Sequence, residues 1–303
     1  MRKIIRFIKI SLNNPKKLIL IIASKGFLRI LPNKLYLKLI FYLRIGYLLN
    51  LRNPKSFNEK LQWLKVNDHN PFYVKLVDKY LVREYLTEVL GIDYNIPLIG
   101  VYNSFDDIDF DSLPNEFVLK CTHDSGGVII CKDKSEFNKN EARVKINYWM
   151  KRNYYYLGRE WPYKAVKRRI ICERYMVDDT YQELRDYKFM CFNGKVKCEF
   201  ICLNRNKPTG LNVDFYDLNW EPMRFERHYP TSGLLVEKPI NFNLMIEIAE
   251  QLSINIPFLR VDFYEINGTL YIGELTLYPG SGFEEFNPVS YDYLLGSWLD
   301  LSE

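Results

Sequence analysis

Three stretches of this chain carry residues whose type and spacing suit phosphate and metal chemistry. Lys120 ends a β-rich run, and His123-Asp124-Ser125-Gly126-Gly127 follows as a short loop before the next run. Glycines let backbone N–H groups approach phosphate oxygens, and a lysine neutralises their charge. A plain hairpin turn uses the same residues. The spacing is not GxxxxGK[ST], which excludes a P-loop. Later, Arg260, Asp262, Glu274 and Thr276 take even positions around Asn267-Gly268, while Leu259, Val261, Phe263, Tyr271 and Leu275 take odd ones. Two carboxylates on one strand face suit Mg²⁺, a cation held by hard oxygens. A cross-strand Arg–carboxylate bridge on a solvated face accounts for them as well. Between these stretches stand Glu173, Tyr175 and Met176, then Asp186 and Lys188 on one strand face. That last pair reads either as phosphate chemistry or as a structural salt bridge.

The two carboxylates share a face only if the hairpin has the right parity. A two-residue type I′ loop at Asn267-Gly268 would pair Asp262 with Gly273 and send Glu274 to the opposite side. A three-residue loop, Ile266-Asn267-Gly268 closed by a G1 bulge, sets Asp262 opposite Ile272 and diagonal to Glu274. The apolar odd positions demand the same parity, so the bulged loop is expected, with both carboxylates and Lys120 facing one cleft.

The elements that position these residues follow from capping, periodicity and turn chemistry. Asn58 is expected to cap a helix carrying Leu61, Trp63 and Leu64, ending near Asn67. Pro71 opens a second, with Val74, Val77, Leu81 and Leu86 at helical spacing and Gly91 as its stop. Strands are expected at Pro97–Val101, Phe117–Lys120, Val128–Cys131 and Arg169–Met176, with 135–157 mostly helical. Asn-Gly hairpins turn at Asn193-Gly194 and Asn267-Gly268, and between them Asn241 caps a helix through Leu244, Ile248 and Leu252. Hairpins alternating with helices indicate an α+β architecture with antiparallel sheets.

Composition bounds the alternatives. Hydrophobic residues make up 48% and charged residues 26%, which is not the signature of a disordered chain. No apolar run approaches the ~20 residues of a membrane span, and the longest, Leu18 to Ser24, lies between Lys17 and Lys25. No small-residue cleavage site follows an apolar core, so a secretory signal is not expected. The six cysteines show no CxxC or Cys/His metal spacing and read as reduced, buried thiols of a cytoplasmic protein. Three histidines, His69, His123 and His228, form no triad pattern. The net charge of +5 is uneven: residues 1–58 hold 13 Lys+Arg and no acid, leaving the remainder at −8. The cations interleave with Ile4, Ile5, Phe7 and Ile8, and then with Leu37, Leu39, Ile40 and Leu43. Such a stretch suits an anionic membrane surface, or else packs its apolar side on the body. No nucleic-acid reader motif accompanies it.

The order of these motifs resembles the ATP-grasp superfamily. The stretches FNEKLQWLK, DKYLVREYL, FVLKCTHDSGG, GREWPYK, IICERYM, RDYKFMCFNGK and RVDFYEINGTLYIGELTLYPGSG are similar to the TupA-like ATP-grasp family, over roughly residues 50–290. That family is associated with teichuronopeptide, capsule and other surface-polysaccharide loci. The resemblance implies two α+β subdomains gripping a nucleotide, with boundaries at 58–176 and 177–303 behind a basic helical segment, 1–57. It implies ATP and Mg²⁺ as cofactors. It also implies a carboxylate–amine ligase working through an acylphosphate, joining a uronic acid of a glycan precursor to an amino acid. Lys120, with Lys79 or Arg83, would meet the phosphates, and the loop of His123, Ser125, Gly126 and Gly127 would close over them. Glu173 and the Tyr175–Met176 backbone would read adenine. Asp186 and Lys188 would face the ribose or the phosphate tail, and Asp262 and Glu274 would hold Mg²⁺. Thr276 stands where the superfamily commonly has Asn. Arg260 and Pro279-Gly280-Ser281-Gly282 would serve the acceptor. Two other readings stay open: a sugar-nucleotide glycosyltransferase using the D-x-D at Asp106-Asp107-Ile108-Asp109, and a non-catalytic, membrane-associated nucleotide-binding protein.

Overall fold

A computed structural model describes residues 14–180, 184–205 and 210–301. Among the described residues the helices α1 (Pro15–Ser24) and α2 (Asn33–Ile45) are followed by α3 (Phe57–Asn67), α4 (Tyr73–Val77) and α5 (Leu81–Leu90). The cap of α3 is Ser56, two residues ahead of the expected Asn58. Its hydroxyl accepts from Glu59 N while the Glu59 carboxylate accepts from Ser56 N, a capping box. Asn58 is instead buried and ties α3 to the C-terminal part through Asp292 and the Glu284 carbonyl. The expected single helix from Pro71 to Gly91 is two. Buried Asp78 breaks it, its carboxylate accepting from Tyr80 N and Leu81 N and pairing with Arg169 at 3.4 Å. Side-chain bonding of this kind competes with the helical ladder.

Four strands form the first sheet: β1 (Leu98–Tyr102), β2 (Phe117–Cys121), β3 (Val128–Cys131) and β4 (Ile170–Arg174), in the order β1-β4-β2-β3, all antiparallel. Helix α6 (Lys139–Lys151) covers it, burying Ala142 and Ile146 against Phe117, Leu119 and Cys172. A short helix, α7 (Tyr155–Gly158), leads back toward β4.

The second sheet contains β5 (Asp186–Phe192), β6 (Lys195–Leu203), β7 (Asn212–Tyr216), β8 (Pro222–Met223), β10 (Phe258–Ile266) and β11 (Thr269–Thr276), in the order β11-β10-β5-β6-β7-β8. A separate two-stranded ribbon pairs β9 (Glu226–Arg227) with β12 (Phe286–Asn287). Helix α8 (Phe242–Leu252) packs on the large sheet through Phe242, Met245, Ile248, Ala249 and Leu252. Leu244, expected on that face, is 37% exposed, and the Asn241 side chain binds Glu265 and Gly268 rather than capping α8. Helix α9 (Ser290–Trp298) closes the chain against α3. The architecture is α+β with antiparallel sheets.

The front helices also pack on the body. Leu37 and Ile40 of α2 are buried in one cluster with Tyr36, Phe41 and Phe283, so this apolar side packs on the body, one of the two outcomes its pattern allowed. Residues 1–13, including Ile4, Ile5, Phe7 and Ile8, lie outside the described residues.

Candidate active site

The final hairpin brings its two acids together by a route other than the expected one. The turn is a two-residue loop, Ile266 pairing with Thr269, with Asn267 at φ 49° and Gly268 at φ 77°. Both central residues with positive φ define the type I′ geometry. The parity is restored farther along. The register shifts between Asp262 and Phe263, so Phe263 pairs with Ile272 and Asp262 with Glu274, leaving Gly273 as the extra residue. Asp262 therefore lies directly opposite Glu274, and Arg260 opposite Thr276. A Cβ on Gly273 would stand 2.5 Å from the Tyr264 ring, so only glycine fits this bulge without displacing that ring. Beyond the bulge the faces exchange, which moves Tyr271 off the core face and opposite Tyr264.

On the other flank of β10, Asp262 pairs with Lys188 of β5. Lys188, Asp262 and Glu274 thus stand in one row across three strands. The Asp262 carboxylate is gripped from two sides: Arg260 donates to it from Nε and Nη2 at 2.6 and 2.7 Å, and Lys188 donates from Nζ. Burial pushes the Asp262 carboxyl up, but Arg260 and Lys188 hold it below its ordinary value. Lys188 also binds Asp186 at 2.7 Å; burial lowers the lysine's pKa, and the two aspartates more than offset this. Burial raises Asp186. Arg260 reaches Thr276 Oγ1 at 3.0 Å and Glu274 at 3.7 Å.

The first sheet meets Glu274, the end of this row, across a cleft lined by Lys79, Arg83, Lys120, Glu173, Gly273 and Glu274. Lys79 Nζ lies 3.5 Å from Glu274 and donates to the Asp124 carbonyl at 2.8 Å, which ties the glycine loop to the hairpin. Glu173 is buried, and its carboxylate is bridged by Lys120 at 2.6 Å and Arg83 at 3.1 Å. Ser125 and Gly126 are exposed at the loop tip, and Gly126 has φ 88°. His123 is turned inward: it is 2% exposed, its Nε2 lies 3.2 Å from the Trp149 carbonyl, and burial lowers its pKa. Tyr175 and Met176 are half-buried just past β4. That segment is pinned to the hairpin turn by Asp178, which accepts from Asn267 N.

Asp262, Glu274 and Thr276 supply two carboxylates and a hydroxyl from facing positions. Among the described residues, no group of three or more His, Cys, Asp or Glu side chains is arranged to hold a metal ion. A sparse oxygen set of this kind fits Mg²⁺, which keeps several waters and completes its shell from substrate phosphates. By contrast, the aspartates of the D-x-D stretch serve the surface. Asp107 accepts from Ser104 N, Asp109 accepts from Asp111 N, and Asp106 pairs with Arg143.

The expectations drawn from sequence named Arg260 and the 279–282 loop for the acceptor but missed Glu160 and Lys65 beside them, behind the hairpin. A cavity of about 420 Å³ opens between Arg260, Glu274 and Thr276 on one side and α1 and α2 on the other. Glu160 and Ser281 line it, and Ser281 Oγ donates to Glu160 Oε1 at 2.6 Å. Lys65, fully buried, donates to Ser281 O at 2.6 Å and Gly158 O at 2.8 Å, and burial pushes its pKa down to about 7. The quoted stretches contain all three residues, but nothing in their spacing shows that they converge.

The TupA-like ATPgrasp family model matches residues 59–300. A search of curated proteins found no match. Among solved structures, D-alanine–D-alanine ligase from Bacillus anthracis complexed with ATP overlaps at 16% identity and a TM-score of 0.39, covering 67% of this chain and 55% of that one. N5-carboxyaminoimidazole synthetase from Staphylococcus aureus overlaps at 14% and 0.38, covering 67% and 44%. D-alanine–D-alanine ligase from Helicobacter pylori overlaps at 14% and 0.42, covering 81% and 70%. The chain thus spans about half the length of the first two structures.

Proposed function

The chain belongs to the TupA-like ATP-grasp family, and from that premise we propose that it is an ATP-dependent carboxylate–amine ligase of surface-polysaccharide biosynthesis. The observation that carries this reading is Glu274, at the end of the Lys188–Asp262–Glu274 row, lining one cleft with Lys79, Arg83 and Lys120. Cations for a polyphosphate and oxygens for its metal converge there.

In this reading, ATP enters between the two sheets. Lys120 and Lys79 neutralise phosphate oxygens, with Glu173 holding Lys120 and Arg83 in position and the Tyr175–Met176 backbone meeting the adenine edge. Ser125, Gly126 and Gly127 close over the phosphates, and Asp186 with Lys188 borders the ribose or phosphate tail. Bound at Asp262 and Glu274, with Thr276 beside them, Mg²⁺ would supply charge neutralisation at the transferred phosphoryl group. A substrate carboxylate oxygen attacks the γ-phosphorus, the bond to the β-phosphate oxygen breaks, and ADP leaves with the electron pair. The acylphosphate is then attacked by the amine in its free-base form, forming C–N as the C–O bond breaks and inorganic phosphate departs, and the nitrogen releases its surplus proton to solvent. Fixed cations and positioning lower this barrier, and no covalent nucleophile is required. The carboxylate is that of a uronic acid in a glycan precursor and the amine that of an amino acid. Arg260 and the 279–282 loop face this acceptor space.

The test is a melting panel with ATP, GTP and UDP-glucose, each with Mg²⁺. ATP at 100 times its Kd is expected to stabilise by about 2.7 kcal/mol. Stabilisation by UDP-glucose and none by ATP would favour the glycosyltransferase reading.

The front end supports a membrane-surface location. Among the described residues no helix is long and apolar enough to cross a membrane. Phe27, Ile30, Leu35 and Leu48 are 69, 84, 54 and 79% exposed, beside the exposed cations Lys25, Arg29, Lys34 and Lys38. Exposed apolar side chains interleaved in sequence with exposed cations suit an anionic lipid surface, each cation adding about 1 kcal/mol. The protein is expected to float with vesicles containing 30% phosphatidylserine, to release as salt rises, and to stay behind with pure phosphatidylcholine. Phe27→Ser with Ile30→Ser should weaken flotation, and unchanged flotation would refute this contact.

A further inference from the structure

The cavity behind the hairpin contains a carboxylate that the phosphate chemistry does not use. Glu160 is 4% exposed and lines the cavity, yet no Lys or Arg lies within ion-pair distance of it among the described residues. It accepts a hydrogen bond from the Ser281 hydroxyl. An ionised carboxylate accepts up to four hydrogen bonds, and burying one without a counter-ion is costly. Lys65, the cation nearest in this network, spends its donors on Gln62, Gly158 and Ser281 instead. Its charge still offsets part of the burial, but Lys65 does not line the cavity, and neither lining arginine, Arg44 or Arg260, pairs with Glu160 among the described residues. Arg260 is forked onto Asp262, and Glu274 and Glu284 add two further acids, Glu284 paired with Arg227.

The backbone on both sides is held in a conformation that favours glycine. Arg159, immediately before Glu160, has φ 57°, and Ser281 has φ 56° between Gly280 and Gly282, both also positive. Non-glycine residues in the left-handed region cost about 1 kcal/mol or more each and gather at functional sites. Arg159 is fixed there by its guanidinium, which donates to the Leu28, Arg29 and Leu31 carbonyls. Gly158 has no room for a side chain, because a Cβ there would collide with Ser281 Oγ. Tyr36, Tyr154, Tyr163 and Tyr278 complete the wall with aromatic surface. A carboxylate set among aromatic rings is a recognised environment for an organic ammonium group.

We propose that Glu160 is the binding subsite for the amine substrate, receiving a primary ammonium group in the cavity between the hairpin and the N-terminal helices. The inference rests on the ligase reading and specifies its second substrate: a primary amine presented as a cation, entering on the side of Ser281 and α2. Burial raises the Glu160 carboxyl, and an arriving ammonium favours its ionised form.

The test uses the full chain with ATP, Mg²⁺ and UDP-glucuronate as carboxylate. Glycine, L-alanine, L-glutamate and L-lysine serve as charged amines, and hydroxylamine, mainly uncharged near neutral pH, as the control nucleophile. Glu160→Gln is expected to raise the amine KM at least tenfold, with the ATP KM and hydroxamate formation unchanged, and Glu160→Asp to restore part of the loss. Ser281→Gly, which suits φ 56° and removes the single hydroxyl partner, should shift the amine KM the same way by a smaller factor. An unchanged amine KM in both variants overturns the subsite. So does a parallel loss of ATP affinity and hydroxamate formation, or wild-type protein that makes hydroxamate but no amide from any of these amines. Wild-type protein that makes neither product overturns the ligase reading itself.

Discussion

Replacing Lys120 with Met is expected to abolish the stabilisation that ATP confers, a loss of about 2.7 kcal/mol at 100 times the wild-type Kd. From sequence, Lys120 reads as an exposed strand-end lysine whose removal costs the apo fold almost nothing. The structure changes that expectation. Lys120 contacts the buried Glu173 carboxylate at 2.6 Å and its side chain is 18% exposed. Removing it leaves Glu173 with Arg83 alone, which should cost about 1–3 kcal/mol of apo stability. The double variant Lys120→Met, Glu173→Gln should recover most of that apo cost without recovering ATP binding. Urea unfolding with and without Mg-ATP separates the two effects, and retained ATP stabilisation in the single variant would remove Lys120 from the site.

Asp262→Ala should produce the largest stability loss in the molecule's second half. It strips Arg260 of a two-pronged partner and Lys188 of one of its two aspartates. Breaking a buried charge pair from one side costs about 3–5 kcal/mol. The lower end is expected here, because Lys188 retains Asp186 at 2.7 Å and Arg260 retains Thr276 at 3.0 Å. Glu274→Gln provides the contrast. Its side chain is 32% exposed and its cation contacts are at 3.5 and 3.7 Å, so apo stability should change by less than about 1 kcal/mol. Both variants should lose the Mg²⁺-dependent part of ATP binding. A Glu274→Gln protein that binds Mg-ATP normally would take the metal away from this hairpin.

How much of this site could be read from sequence is best judged at that hairpin. Alternation around Asn267-Gly268 revealed that Asp262 and Glu274 must share a face, because the apolar residues on each strand had to share the other. It placed the compensating residue at the turn, whereas the structure puts it at Gly273, seven residues from Ile266. The signal was present as a glycine inside a strand, which often marks a bulge or a close approach. Helix ends were less accessible. Asn58 and Ser56 are both good caps by type, and only the Glu59 carboxylate reaching back to Ser56 N decides between them. Asp78 breaks a helix by accepting from Tyr80 N and Leu81 N, and the cation that lets it do so while buried, Arg169, lies 91 residues away. That Glu160 and Lys65 join Ser281 of the acceptor loop was hidden for the same reason. Three polar residues from distant segments meet only once the sheets have closed around them.

The most direct test of the central claim is to trap the activated carboxylate. Protein incubated with ATP, Mg²⁺, UDP-glucuronate and hydroxylamine should release ADP and form a hydroxamate in equal amounts, and the product should disappear when Lys120 is Met or ATP is omitted. A protein that binds Mg-ATP in this cleft but forms no hydroxamate from this or any other uronate, while wild-type folding is intact, would contradict the account.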